Sequence, residues 1–118
     1  MRYLLILQLS TAVLEMLTED ERTAVRAGHD EFRRVAQEAG ELIGSQALAD
    51  PSTSTVVCSR GVRTGPLRAS DEFMGGYYLI DVETKDRAIE LADLLPDTTI
   101  DGLAVEIRPV MFSAGADY

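Results

Sequence analysis

The sequence predicts an α+β fold: a small sheet, apolar on both faces, with two helices to cover it. Three observations carry this prediction. Residues 74–82, Met-Gly-Gly-Tyr-Tyr-Leu-Ile-Asp-Val, are apolar at both alternating sets of positions, and such a strand must be covered on both sides. Residues 3–9 and residues 103–112 largely repeat that pattern. Between these strands the chain offers only two long helical patterns, one near each strand-rich segment.

The bulk properties narrow the class. A chain of 118 residues is the size of one domain, residues 1–118, with residues 113–118 read as a loose C-terminal tail. The net charge of -9, with one lysine and ten arginines, sets the chain against phosphate backbones and anionic membrane surfaces, so neither nucleic acid nor membrane is an expected partner. The apolar run at the N-terminus is short, is broken by Gln8 and has no convincing cleavage site, so it reads as a buried strand. No stretch approaches the ~18 apolar residues of a membrane span. The single cysteine, Cys58, has no partner for an internal disulfide, and a reducing cytoplasm is the expected compartment.

Each element has its own local signal. After the first strand, Ser10 and Thr11 break the pattern, and residues 12–17 form a helix-compatible run. Thr18-Glu19-Asp20-Glu21 is a capping box with extra acids in the first turn, so a long helix follows to about Ala39. Val25, Gly28, Phe32, Val35, Ala36 and Ala39 form its inward stripe, and Gly40 closes it. Residues 41–48 read as the second strand, Asp50-Pro51-Ser52 as a turn, and residues 53–60 as the third strand, with Cys58 a small buried filler. Gly61 and Gly65-Pro66 punctuate a loop or an extra hairpin. The glycine pair Gly75-Gly76 marks a bulge or a close backbone approach, because no helix follows it and no P-loop lysine accompanies it. Thr84 caps a second helix whose stripe is Ala88, Ile89, Leu91, Ala92 and Leu95, and Pro96 stops it. In the last strand Pro109 demands an edge position or a bulge.

Two strand–helix–strand units in one short chain give a ferredoxin-like split arrangement. Its two helices cover one face only. The simplest cover for the other face is a second protomer, so the expected architecture is a homodimeric α/β barrel.

The same segments resemble the YCII-related, or DGPF-domain, family along nearly the whole chain. The resemblance rests on the opening Tyr3-Leu4-Leu5-Ile6 strand, on His29-Asp30-Glu31-Phe32 with Ala39-Gly40-Glu41-Leu42, and on Arg63-Thr64-Gly65-Pro66-Leu67. It also rests on residues 75–82, on Leu95-Pro96, and on Val105-Glu106-Ile107-Arg108-Pro109-Val110. It implies a ferredoxin-like, dimeric α/β-barrel fold. The motif that gives the DGPF name is altered here, with Thr64 in place of its aspartate and Leu67 in place of its phenylalanine. In the YCII branch a helix histidine and an aspartate are a proposed catalytic dyad, and one relative removes chloride from a chlorinated aromatic. His29 stands at the matching helix position, but Leu95 occupies the place of the aspartate, so the resemblance does not carry the dyad over intact. DGPF-type members are often encoded beside sigma factors of the extracytoplasmic-function class, which implies a regulatory partner of that kind.

His29 is the only histidine, and it shares the inward stripe of the long helix. An imidazole titrating near neutrality in a cleft suits general acid/base work; the plainer reading is a half-buried histidine bonded to a carbonyl. Asp81, Glu106 and Asp71 are the candidate carboxylates to orient it, with Asp81 also a candidate catalytic residue. Glu106 and Arg108 share a face of the last strand, where Arg108 could hold a substrate carboxylate or pair with Glu106. Tyr77 and Tyr78 point to opposite faces, and either phenol could line a ligand site or simply pack. Arg60, Arg63 and Arg68 surround the Gly61–Pro66 loop. One histidine and one cysteine make a poor metal-ligand set, and no cofactor motif is present. Two functions follow: a small cytoplasmic enzyme performing lyase-like or isomerase-like proton transfer on a small molecule, or a non-catalytic ligand-binding or regulatory protein.

Overall fold

In a computed structural model, described over residues 1–115, four strands form one antiparallel sheet in the order β2-β5-β1-β6. The strands are β1 (Arg2–Ser10), β2 (Leu42–Ala47), β5 (Glu72–Asp81) and β6 (Ala104–Pro109). The stretch at residues 74–82 is thus central, hydrogen-bonded to β1 on one side and β2 on the other. Pro109 lies on the edge strand β6, paired with Tyr3, where a missing N–H costs the ladder least. The sheet does not close into a barrel. Of the tail read at residues 113–118, residues 116–118 lie outside the described residues.

Helix α1 (Thr11–Met16) follows β1 directly, its N-cap Ser10 accepting from the Val13 amide. Helix α2 (Glu19–Glu38) begins at the capping box: the Thr18 side chain accepts from Glu21 N and the Glu21 carboxylate from Thr18 N. Gly40, at φ 70°, supplies the left-handed residue after its end. Helix α3 (Lys85–Ala92) starts at Thr84 and ends four residues before Pro96, which opens a separate 3₁₀ turn, Pro96–Thr99. The stripe on α3 is correspondingly narrower than the sequence suggested, with Ile89 exposed.

Both long helices lie on one face of the sheet. Tyr3, Leu5, Tyr78 and Ile80 pack there against Phe32, Ala36, Ala88, Leu91 and Leu95. Burial of this cluster is the main stabilising contribution, at about 1.5–3 kcal/mol for each large side chain. Ala39, expected in the stripe, is exposed; it is the C-cap, one residue past the last residue of α2.

The third strand of the sequence reading is not part of this sheet. Strands β3 (Thr55–Cys58) and β4 (Gly61–Thr64) pair only with each other, as a separate hairpin beyond the β2–β5 end. Cys58 is consequently exposed, not a buried filler. The Thr64–Leu67 segment closes the hairpin: Thr64 pairs with Thr55, Gly65 N donates to Ser54 O at 2.6 Å, and Arg63 donates to the Pro66 and Leu67 carbonyls. The glycine pair of β5 behaves as expected. Register slips by one residue at Gly75, and a Cβ on Gly76 would lie 2.5 Å from the Gln46 carbonyl oxygen. No helix among the described residues is long and apolar enough to cross a membrane.

Candidate active site

Gly28 is where the site is assembled. A helix-interior glycine costs about 0.5–1 kcal/mol relative to alanine. Here a Cβ would stand 2.7 Å from the Pro96 ring, so only glycine lets the Pro96–Thr99 turn sit directly on α2. That approach delivers Asp97, one residue after the proline, to His29, one residue after the glycine. Asp97 Oδ1 lies 2.7 Å from His29 Nε2, and the Asp97 side chain is 3% exposed.

The other imidazole nitrogen is also engaged. His29 Nδ1 lies 2.7 Å from the Tyr78 hydroxyl, and the two rings stack. An ionised carboxylate only accepts, so Nε2 carries the proton toward Asp97 and Nδ1 accepts from the phenol. Arg33, one helical turn beyond His29, donates to the same phenol oxygen at 3.1 Å and pairs with Asp30. Phe32 packs on the Tyr78 ring at 4.4 Å and fixes its position. Burial pushes the Tyr78 phenol above its ordinary pKa; the Arg33 guanidinium opposes this, and the Asp97 and Asp30 carboxylates add to it.

The four groups form one chain of hydrogen bonds, Arg33 to Tyr78 to His29 to Asp97. It borders an open cavity of about 370 Å³ between α2 and the β2–β5 edge, bounded by Leu7, Val25, Arg26, His29, Arg33 and Gln46 among others. A site of this size admits a small molecule. A wider cavity of about 650 Å³ lies at the far end of β5, between Gly40, Glu41, Asp81 and Arg87. Its cations are already paired: Arg87 forms a fork with Glu41 at 2.8–3.1 Å, and the Met1 ammonium lies 3.3 Å from Asp81.

The structure therefore separates the residues singled out from the sequence. His29 and Tyr78 come together. Asp81 does not reach them; it turns to the Met1 ammonium and Arg2, which hold its carboxyl below the usual range. Asp71 caps α1 instead, accepting from Ser10 Oγ at 2.5 Å and from Ala12 N. Glu106 and Arg108 stand exposed on the sheet face away from the helices, opposite Ile6 and Leu4, and make no ion pair with a described residue. Tyr77 is on that same face, between Ile6 and Gln46, and borders the cavity at the β2 edge. Asp97 and Arg33 were missed. The signal for Asp97 was the coincidence of Gly28-His29 in a helix with Pro96-Asp97 after another. That for Arg33 was its place one turn from His29 on the same face.

A family model described as a YCII-related domain matches residues 1–112. The chain belongs to the YCII-related family. No curated protein matches it. Leu95, before Pro96, brings no carboxylate to His29. In this YCII-related chain the carboxylate comes from the residue after Pro96 and not from the residue before it. No cluster of three or more histidine, cysteine or acidic side chains suited to a metal ion occurs among the described residues.

Proposed function

We propose that this YCII-related protein is a small enzyme that moves a proton on a small molecule bound between α2 and the β2–β5 edge. The observation that carries the reading is the occupancy of both His29 nitrogens, one by a buried carboxylate and the other by a phenol beside an open cavity. The order carboxylate–imidazole–hydroxyl is that of a catalytic triad, with tyrosine as the terminal group. As Tyr78 takes a proton from substrate, it passes its own to Nδ1, and Asp97 stabilises the imidazolium that forms. Arg33 stabilises charge developing on the phenol oxygen. The reverse sequence returns the proton, as an isomerase-like or lyase-like reaction requires. Asp81 and Glu106 take no part.

The reading includes an assembly. The strand order and the two helical crossovers suit a ferredoxin-like split fold. The uncovered sheet face, with Leu4, Ile6, Tyr77 and Leu79 at its centre, suits a second copy closing a barrel.

The chemistry is testable before the substrate is known. The protein is incubated in D₂O with a panel of small carbonyl compounds and carboxylic acids, and deuterium uptake next to the carbonyl is followed by NMR. Uptake should fall about 10²–10⁴-fold in His29→Ala and in Asp97→Asn. No uptake across the panel, or uptake that His29→Ala retains, would falsify the reading.

A further inference from the structure

We propose that the cleft beside Tyr78 is a carboxylate site, in which Arg33 and Arg26 hold the acid group of a small, partly apolar substrate. The inference deepens the proton-transfer reading and rests on the same cavity. Arg26, His29 and Arg33 fall at i, i+3 and i+7 on α2, so one helix face turns two cations and the imidazole toward the cavity. In a chain of net charge -9, this is a local reversal of sign. Its effect is to draw small anions to the cavity that His29, Arg33 and Tyr78 line.

The partners of the two arginines leave room for such a ligand. Arg33 directs one nitrogen to the Tyr78 oxygen and another to Asp30, so other N–H groups of the five on its guanidinium stay available. The Asp30 carboxylate already shows that an edge of this guanidinium accepts an acid group. Asp30 is itself 73% exposed, so the pair is weak and readily exchanged for a ligand. Arg26 makes only a hydrogen bond to Thr23 and a 3.9 Å contact to Glu19, both at the surface. The planar fork of arginine matches a carboxylate in two parallel bonds, which a bare cation does not. Leu7 and Val25 on the same cavity wall favour an apolar body over a naked inorganic anion. An acid group held on Arg33 would bring its neighbouring carbon toward the Tyr78 oxygen, where the proton is exchanged.

The sequence placed this role on Arg108. The structure puts Arg108 on the other face of the sheet, so it serves here as the control.

Sodium benzoate, benzamide and inorganic phosphate are titrated into ¹⁵N-labelled protein, with amide shifts on α2 and β5 as the readout. Benzoate should bind at least tenfold more tightly than its neutral isostere benzamide and than phosphate. Arg33→Gln and Arg26→Gln should each weaken benzoate by about tenfold or more, and Arg108→Gln should not. Arg26 is exposed and outside the core, so its variant reports even where Arg33→Gln perturbs folding. Equal binding of benzamide, tighter binding of phosphate, or unchanged benzoate affinity in Arg26→Gln with Arg33→Gln or Arg33→Lys overturns the proposal. Benzoate binding without any deuterium uptake leaves the carboxylate site standing and removes the catalysis. Uptake confined to neutral compounds does the reverse.

Discussion

On the helix side of the sheet Tyr78 is 3% exposed, its ring stacked on His29 and packed at a tilt on Phe32, with its hydroxyl held by two side chains. On the other side its neighbour Tyr77 lies between its cross-strand partners Ile6 and Gln46 and is partly exposed. The two residues have the same chemistry and adjacent positions on one strand. What differs is the cover. Two helices and a 3₁₀ turn over one face make the phenol a member of a hydrogen-bond chain with Arg33, His29 and Asp97. The other phenol lies on the face that carries neither long helix. Ile6 and Leu79, each 7% exposed, lie outside the helix-side core cluster.

The largest effect should come from breaking the covered face. Phe32→Ala removes a wholly buried ring that supports Tyr78. A loss of about 3–5 kcal/mol in denaturant unfolding is expected, as for other buried phenylalanines. A loss below about 1 kcal/mol would mean that the helix-side core does not hold Tyr78 in place.

The open face should respond differently. Leu4 lies between Leu79 and Arg108 and is only partly buried. If a second copy covers this face, the protein sediments as a dimer at micromolar concentration, and Leu4→Lys converts it to a folded monomer by placing an unpaired charge in the interface. A wild-type monomer under those conditions would contradict the assembly and leave the Tyr78 network untouched.

The contrast between the faces also shows what a sequence can carry. Alternation, caps and turn residues are local, so β1, β5, both long helices, the capping box at Thr18 and the bulge at Gly75 were all legible. That Tyr77 and Tyr78 diverge follows from strand geometry alone. The partner of His29 was not legible, because it depends on how closely a turn near residue 97 approaches a helix near residue 28. That distance is set by the missing Cβ of Gly28, and nothing in periodicity reports it. Glu106 and Arg108 share one face of β6, as alternation requires, and both are exposed on that edge strand. Cys58 misled because a β-rich tetrapeptide does not announce whether it joins the main sheet or a separate hairpin.

The smallest effect is a matter of pH, and it sharpens the comparison between the tyrosines. Burial, resisted by Arg33, raises the folded-state pKa of Tyr78 above its value of ~10 in an unfolded chain. Below that unfolded value both states hold the proton and the full contribution is present. Above it the unfolded chain loses a proton that the folded protein keeps, so stability falls as pH rises toward the folded pKa, by at most about 1.4 kcal/mol per pH unit. Denaturant midpoints measured between pH 9 and 11 should decline in the wild type. Tyr78→Phe should flatten that decline while lowering the midpoint at neutral pH through loss of the hydroxyl's bonds, and Tyr77→Phe should leave the decline in place. An unchanged slope in Tyr78→Phe would mean that the phenol ionises as freely when folded as when unfolded. It could not then be the sheltered proton carrier that its contacts with His29 and Arg33 describe.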